Sequence, residues 1–153
     1  MNPDSLRQQV AILQAKNDAL RAQVSQLARA ENILNIILEG TAATTGTDFF
    51  NALVSQLALA LGAKYVLLGE LSGNQQDKIK TLAYWKEGQL SSNFEYELLG
   101  SPCATVIGNK IQYYPQETYS LFPEDKPLVK KQIECYLGVP LFNSAGQSIG
   151  IIV

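Results

Sequence analysis

Five leucines at seven-residue spacing, Leu6, Leu13, Leu20, Leu27 and Leu34, set what the first forty residues can become. Between Asn2 and Glu39 the only Pro is Pro3, and there is neither Gly nor an aromatic residue. Ala, Gln, Leu, Arg and Asn predominate, which suits a helix. With the leucines at heptad position d, position a holds Val10, Asn17, Val24 and Glu31. A β-branched residue at a with Leu at d favours a parallel two-stranded coiled coil, and a lone Asn at a pairs with its symmetry mate to fix register. The spacing predicts a homodimer whose interface is Leu6, Val10, Leu13, Asn17, Leu20, Val24 and Leu27. The alternative is a single amphipathic helix packed on its own domain. Lys16 at g would face Arg21 at e of the partner and no g–e pair is of opposite charge, so the seam is weak by itself and reads as a signalling helix. A DNA-binding zipper needs a basic region before the first Leu, and residues 1–5 carry only Asp4 as a charged side chain.

From Glu31 the apolar face broadens through Ile33, Leu34, Ile36, Ile37 and Leu38, as a helix entering a globular core would require. The expected division is a coiled-coil helix over residues 1–38 and a globular domain over 39–153. Gly40 ends the first helix. Thr47 is the expected N-cap of the next, which buries Phe49, Phe50, Leu53, Val54, Leu57 and Leu61 and stops at Gly62. The period then changes, and the first strand is nearly all apolar in Tyr65, Val66, Leu67 and Leu68, as a strand covered on both faces would be. Strands are expected over 64–71, 78–86, 93–98, 111–114, 136–142 and 147–153, with brief helices near 104–108 and 128–133. In the second strand, alternation places Ile79 and Thr81 on one face and Leu82 and Tyr84 on the other. The order indicates an α+β domain, an antiparallel sheet with helices on one face. Because the chain stops just after the core strand of Ile149, Ile151 and Ile152, we expect it to be a fragment of a longer polypeptide.

Composition removes whole classes of function. There is no His, so no Ser-His-Asp or Cys-His nucleophile, no His-containing zinc site and no phosphohistidine can be assembled. A net charge of −2 and a pI near 5.1 disfavour nucleic acid as the main partner. Two Cys make no disulfide framework, and no apolar run approaches the ~20 residues of a membrane span, so a cytoplasmic chain without membrane insertion is expected.

The run Tyr136-Leu137-Gly138-Val139-Pro140-Leu141, then Asn143-Ser144-Ala145-Gly146 and Ile149-Gly150, resembles the closing hairpin of GAF domains. Gly100-Ser101-Pro102-Cys103, Tyr113-Tyr114-Pro115 and Leu121-Phe122-Pro123-Glu124-Asp125 resemble a bacterial GAF subgroup common in multidomain sensors, over residues 31–153. The resemblance implies a GAF/PAS-like central antiparallel sheet of about six strands, helices on one face and a small-molecule pocket on the other. It implies a regulatory domain with no catalysis of its own, joined beyond Val153 to an output module such as a histidine kinase or cyclase. Read as chemistry, Gly138 and Gly150 serve close packing or positive φ, and Pro140 needs an edge, a bulge or an unpaired donor.

The candidate ligand residues come from aromatic placement. Nine of the thirteen aromatic residues lie between positions 84 and 136, in segments that by the resemblance wall the pocket. The expected set is Trp85, Tyr96, Cys103, Tyr113, Tyr114, Tyr119 and Phe122, holding an unidentified small molecule without a covalent bond. No Cys-His pair supports a covalent bilin, and the Asn-Lys-Phe-Asp-Glu pattern of cyclic-nucleotide-binding GAF domains is absent. The opposing reading is that the aromatics fill a collapsed core and that the chain is a ligand-free structural dimerisation module. Cys103, after Pro102 at a helix start, is open to a redox or a buried structural role, and Cys135 reads as core. Glu124 and Asp125 are adjacent, so they read as helix-start charge and not as a facing acid–base pair.

Overall fold

The computed structural model describes residues 3–108 and 110–153; Met1, Asn2 and Asn109, which fall within the two expected segments, lie outside the described residues. The chain divides into two compact units, residues 1–39 and 40–153. α1 (Pro3–Thr41), which makes up the first unit, is an uninterrupted helix whose 39 residues rise about 58 Å at 1.5 Å each; it does not stop at Gly40 as expected but carries that glycine within its last turn. The side chains of Leu6, Val10, Leu13, Leu20, Val24 and Leu27 are all exposed.

In the second unit, α2 (Thr47–Leu61) precedes β1 (Tyr65–Ser72) and β2 (Lys78–Lys86). β3 (Gln89–Ser91), β4 (Glu95–Glu97), α3 (Pro102–Val106) and β5 (Gln112–Tyr114) follow. α4 (Thr118–Leu121), α5 (Lys126–Lys130), β6 (Tyr136–Phe142) and β7 (Ser148–Ile152) complete it. The strands form a seven-stranded antiparallel sheet in the order β3-β2-β1-β7-β6-β5, with β4 also on β2. The helix expected to begin with Thr47 as N-cap instead uses Gly46 there, with φ +62, and no side chain caps it. A β-carbon is strained at that φ, so glycine makes the turn and Thr47 is already the first helical residue. β3 and α4 were not among the expected elements. Glu87 and Gly88 both take positive φ between the paired residues Lys86 and Gln89, a two-residue hairpin turn whose Glu-Gly sequence lacks the usual Asn-Gly signature.

Pairing of β1 with β2 slips by one residue: Leu68 lies opposite Ala83 and Gly69 opposite Thr81, leaving Leu82 as a bulge. The slip corrects the expected alternation. Beyond Leu82 the odd-numbered residues change face, so Ala83 and Trp85 join Val54, Ala58, Val66 and Leu68 under α2. Tyr84, opposite Leu67, returns to the face of Ile79. That face carries the other core: Ile79, Leu98, Cys103, Val106, Tyr136 and Ile151, with α3 packed against β6. Gly138 and Gly150 both serve close approach at ordinary φ. A β-carbon on Gly150 would strike the Gly69 carbonyl, and one on Gly138 would meet Val106 and Tyr136. Pro140 is accommodated because β5 pairs only with residues 136–138 of β6 and stops short of it.

Candidate functional site

Ser101 and Pro102 start α3 beneath the sheet. The buried Ser101 hydroxyl donates to the Leu98 carbonyl at 2.7 Å, and Pro102 occupies the first turn, where its missing N–H costs nothing. The next residue, Cys103, is thereby carried into the core. Its Sγ accepts hydrogen bonds from the hydroxyls of Tyr96 at 3.2 Å and Tyr136 at 3.3 Å. Gly138, two residues beyond Tyr136 on the same face of β6, leaves the room that lets Val106 of α3 pack there.

Burial pushes the Cys103 thiol up, against the opposing pull of the Tyr136, Tyr96 and Ser101 hydrogen bonds. Burial likewise raises both tyrosines, with the neighbouring thiol adding to it. All three groups are therefore neutral at physiological pH, and Cys103 has no thiolate character with which to attack or be oxidised. This corner is a structural thiol held by two phenols. Cys135, expected in the core, is exposed, because it precedes β6 and stands outside the sheet. Both cysteines are free.

A second pair of hydroxyls lies alongside. Thr105 Oγ1 donates to the Pro102 carbonyl at 2.7 Å, which leaves the Tyr114 hydroxyl as donor in the 3.0 Å bond between them. The Tyr114 ring stands edge-on to Phe122 at 5.1 Å and tilted against Tyr136 at 5.9 Å. On the other side, Tyr84, Phe94 and Tyr96 make a row with centroid separations of 5.0 and 5.6 Å. The Thr81 hydroxyl anchors the chain crossing over, exchanging hydrogen bonds with the Phe94 backbone at 2.7 and 3.0 Å.

Of the seven residues expected around a ligand, Tyr96 and Cys103 meet directly, and Tyr114 and Phe122 reach them through Tyr136. Trp85 is separated from that group: the bulge at Leu82 turns it to the α2 face. Tyr113 is exposed, since β5 alternates and Tyr114 takes the inward position. Tyr119 is half-buried in α4, its N–H bonded to the Ile133 carbonyl. Thr105 was absent from the expected set, and nothing in its sequence setting marks it. Asp125 is a helix cap, its carboxylate accepting from the Leu128 N–H at 3.0 Å, as its position at a helix start implied. Among the described residues no group of three His, Cys, Asp or Glu side chains is arranged to hold a metal, and no helix is long and apolar enough to cross a membrane.

Among the described residues, one open depression is bordered by Ile111, Val139 and Phe142 and another by Tyr65 and four lysines. None of the seven expected residues lines either.

An antiparallel sheet of this kind, with α2 on one face and the short helix α3 on the other, is the GAF fold. The similarity to solved structures bears this out. The GAF domain of A. aeolicus Nlh2 in an inactive state superposes with a TM-score of 0.63 at 12% identity, over 82% of this chain and 77% of that one. The GAF domain of the Acinetobacter phosphoenolpyruvate-protein phosphotransferase gives a TM-score of 0.56 at 15% identity, over 84% and 74%. No protein-family model matches the sequence, and neither does any curated protein.

Proposed function

We propose that this chain is a regulatory sensor domain of a larger signal-transduction protein, with no catalysis of its own. On this reading it binds a small molecule non-covalently between the sheet and residues 94–122. The observation that carries the reading is the gathering of Tyr84, Phe94, Tyr96, Tyr114, Phe122 and Tyr136 on the sheet face against which α3 packs. Such a face offers apolar area with a few phenolic hydroxyls, the mixture from which small-molecule sites are built. The GAF fold supports a sensory role, and one of the similar structures is described in an inactive state, the language of a regulated protein. The reading includes a bacterial cytoplasmic setting, a parallel homodimer through α1, and an output module on the same polypeptide. For a useful switch the ligand must distinguish two states of residues 94–122 by about 1–3 kcal/mol.

A second reading, a ligand-free dimerisation module, is favoured by one specific observation. The hydroxyls of Tyr96, Tyr136, Tyr114 and Thr105 already have partners, so a ligand must displace them. A metabolite screen separates the two. Compounds that raise the melting temperature and slow amide exchange across residues 94–122 support the sensor. If every stabilising compound leaves that segment's exchange unchanged, the structural reading stands. Trp85, packed on the α2 side, reports separately whether a change crosses the sheet.

A further inference from the structure

The second surface depression, about 640 Å³, lies where the end of β2 meets α5. Lys86, Lys126, Lys130 and Lys131 line it, with Glu87 as the one carboxylate. The local charge is therefore +3 on a chain whose net charge is −2. The ion pairs among the described residues, Lys78 with Glu97 and Lys80 with Glu70, lie elsewhere, so none of these four ammonium groups has a carboxylate at ion-pair distance. Glu87 is engaged by the Tyr65 hydroxyl, which donates to it at 2.7 Å. That bond pushes the Tyr65 phenol up to about 12. Lys131 is held in place: its ammonium donates to the Tyr84 hydroxyl at 3.1 Å and sits 4.6 Å from the Tyr65 ring centroid. Like charges brought around one concavity repel, and an anion in their midst relieves that repulsion.

We infer that this depression binds a small molecule bearing a diphosphate group. Three arguments select that class. The charge of a diphosphate ester matches the local excess of three. Lys126 and Lys130 stand four helical residues apart, about 6 Å along the axis, a wider spread than one phosphate spans. The surface is concave, which suits a small anion better than a flat membrane. Lysines act on phosphate as point charges, so recognition follows charge and spacing more than geometry. The inference stands apart from the aromatic face and needs no ligand there.

The test is an NMR titration of the full 153-residue chain with inorganic pyrophosphate at about 150 mM salt, where exposed charges are screened within ~8 Å. The expected result is saturable shifts at residues 84–87 and 126–132, with affinity at least about tenfold above that for inorganic phosphate. Lys126→Gln with Lys130→Gln should weaken binding about tenfold, and Lys86→Gln alone should weaken it measurably. Lys78→Gln with Lys80→Gln makes the same change in net charge elsewhere and should leave binding unchanged. The inference is overturned by non-saturable shifts, by equal affinity for phosphate and pyrophosphate, or by equal weakening in the two double variants. It is also overturned if a polyglutamate peptide or anionic vesicles shift these residues while pyrophosphate does not.

Discussion

Replacing Leu13 and Leu20 together by Glu should convert a dimer into a monomer, and the size of the effect follows from the exposure of the seam. In the single chain these side chains are 64% and 59% exposed. Fully burying a Leu side chain is worth about 1.5–3 kcal/mol, so burying what remains exposed at each position contributes about 1–2 kcal/mol. Two positions on each of two chains make about 4–8 kcal/mol lost on substitution. The glutamates would also face one another across the seam. At 1.4 kcal/mol per decade, dimer affinity falls at least about a thousandfold. Sedimentation equilibrium over a concentration series measures this directly. Ile12→Glu is the matched control, since Ile12 is 51% exposed but lies beside the seam at heptad position c. It should leave the dimer intact. A monomeric unmodified chain at high micromolar concentration refutes the reasoning, as does a dimer that survives the double substitution. Equal weakening by Ile12→Glu would show association through apolar surface in general and not through this register.

Two further outcomes test the buried face. Gly138→Ala places a β-carbon 2.5 Å from Val106 Cγ2 and 2.7 Å from the Tyr136 hydroxyl oxygen, and should destabilise the domain by about 1–3 kcal/mol, read as a lower melting temperature. Because the neutral forms of Cys103, Tyr96 and Tyr136 are favoured on folding, the unfolded chain ionises first as pH rises, and stability is complete below pH ~8.5 and declines above it. Cys103→Ala should move the onset of that decline up toward the ordinary tyrosine value of ~10, as urea denaturation across pH 7–11 would register.

Legibility in the sequence tracked the range of the interaction responsible. β2 and β6 begin and end where the flanking turns put them, since turn residues bounding an apolar run are a local signal. The body of α1 is equally plain, from its leucines and the absence of Gly before residue 40, but its end is not, since the helix passes through Gly40 to Thr41. β3 was not visible, because its short strand is exposed throughout and its turn is made by Glu87 and Gly88. The lysine depression is hidden in the sequence for a different reason. Lys126, Lys130 and Lys131 lie within six residues of one another, but only the tertiary fold brings Lys86 from β2 beside them.

The bulge at Leu82 connects these outcomes. One extra residue on β2 undoes strict alternation, and nothing in the run Thr81-Leu82-Ala83-Tyr84-Trp85 announces where it falls, since every residue there tolerates a strand interior. Without the slip, Trp85 would share the face of Ile79 and Tyr84 would lie under α2. With it, Trp85 packs against Val66's side of the sheet and Tyr84 crosses to the aromatic row, where its ring meets Phe94 and its hydroxyl meets Lys131. Tyr84 thus borders both candidate sites, the buried aromatic face through its ring and the basic depression through its oxygen. The residue that makes that double contact is, with Ala83 and Trp85, one whose orientation a period-two reading gets backwards.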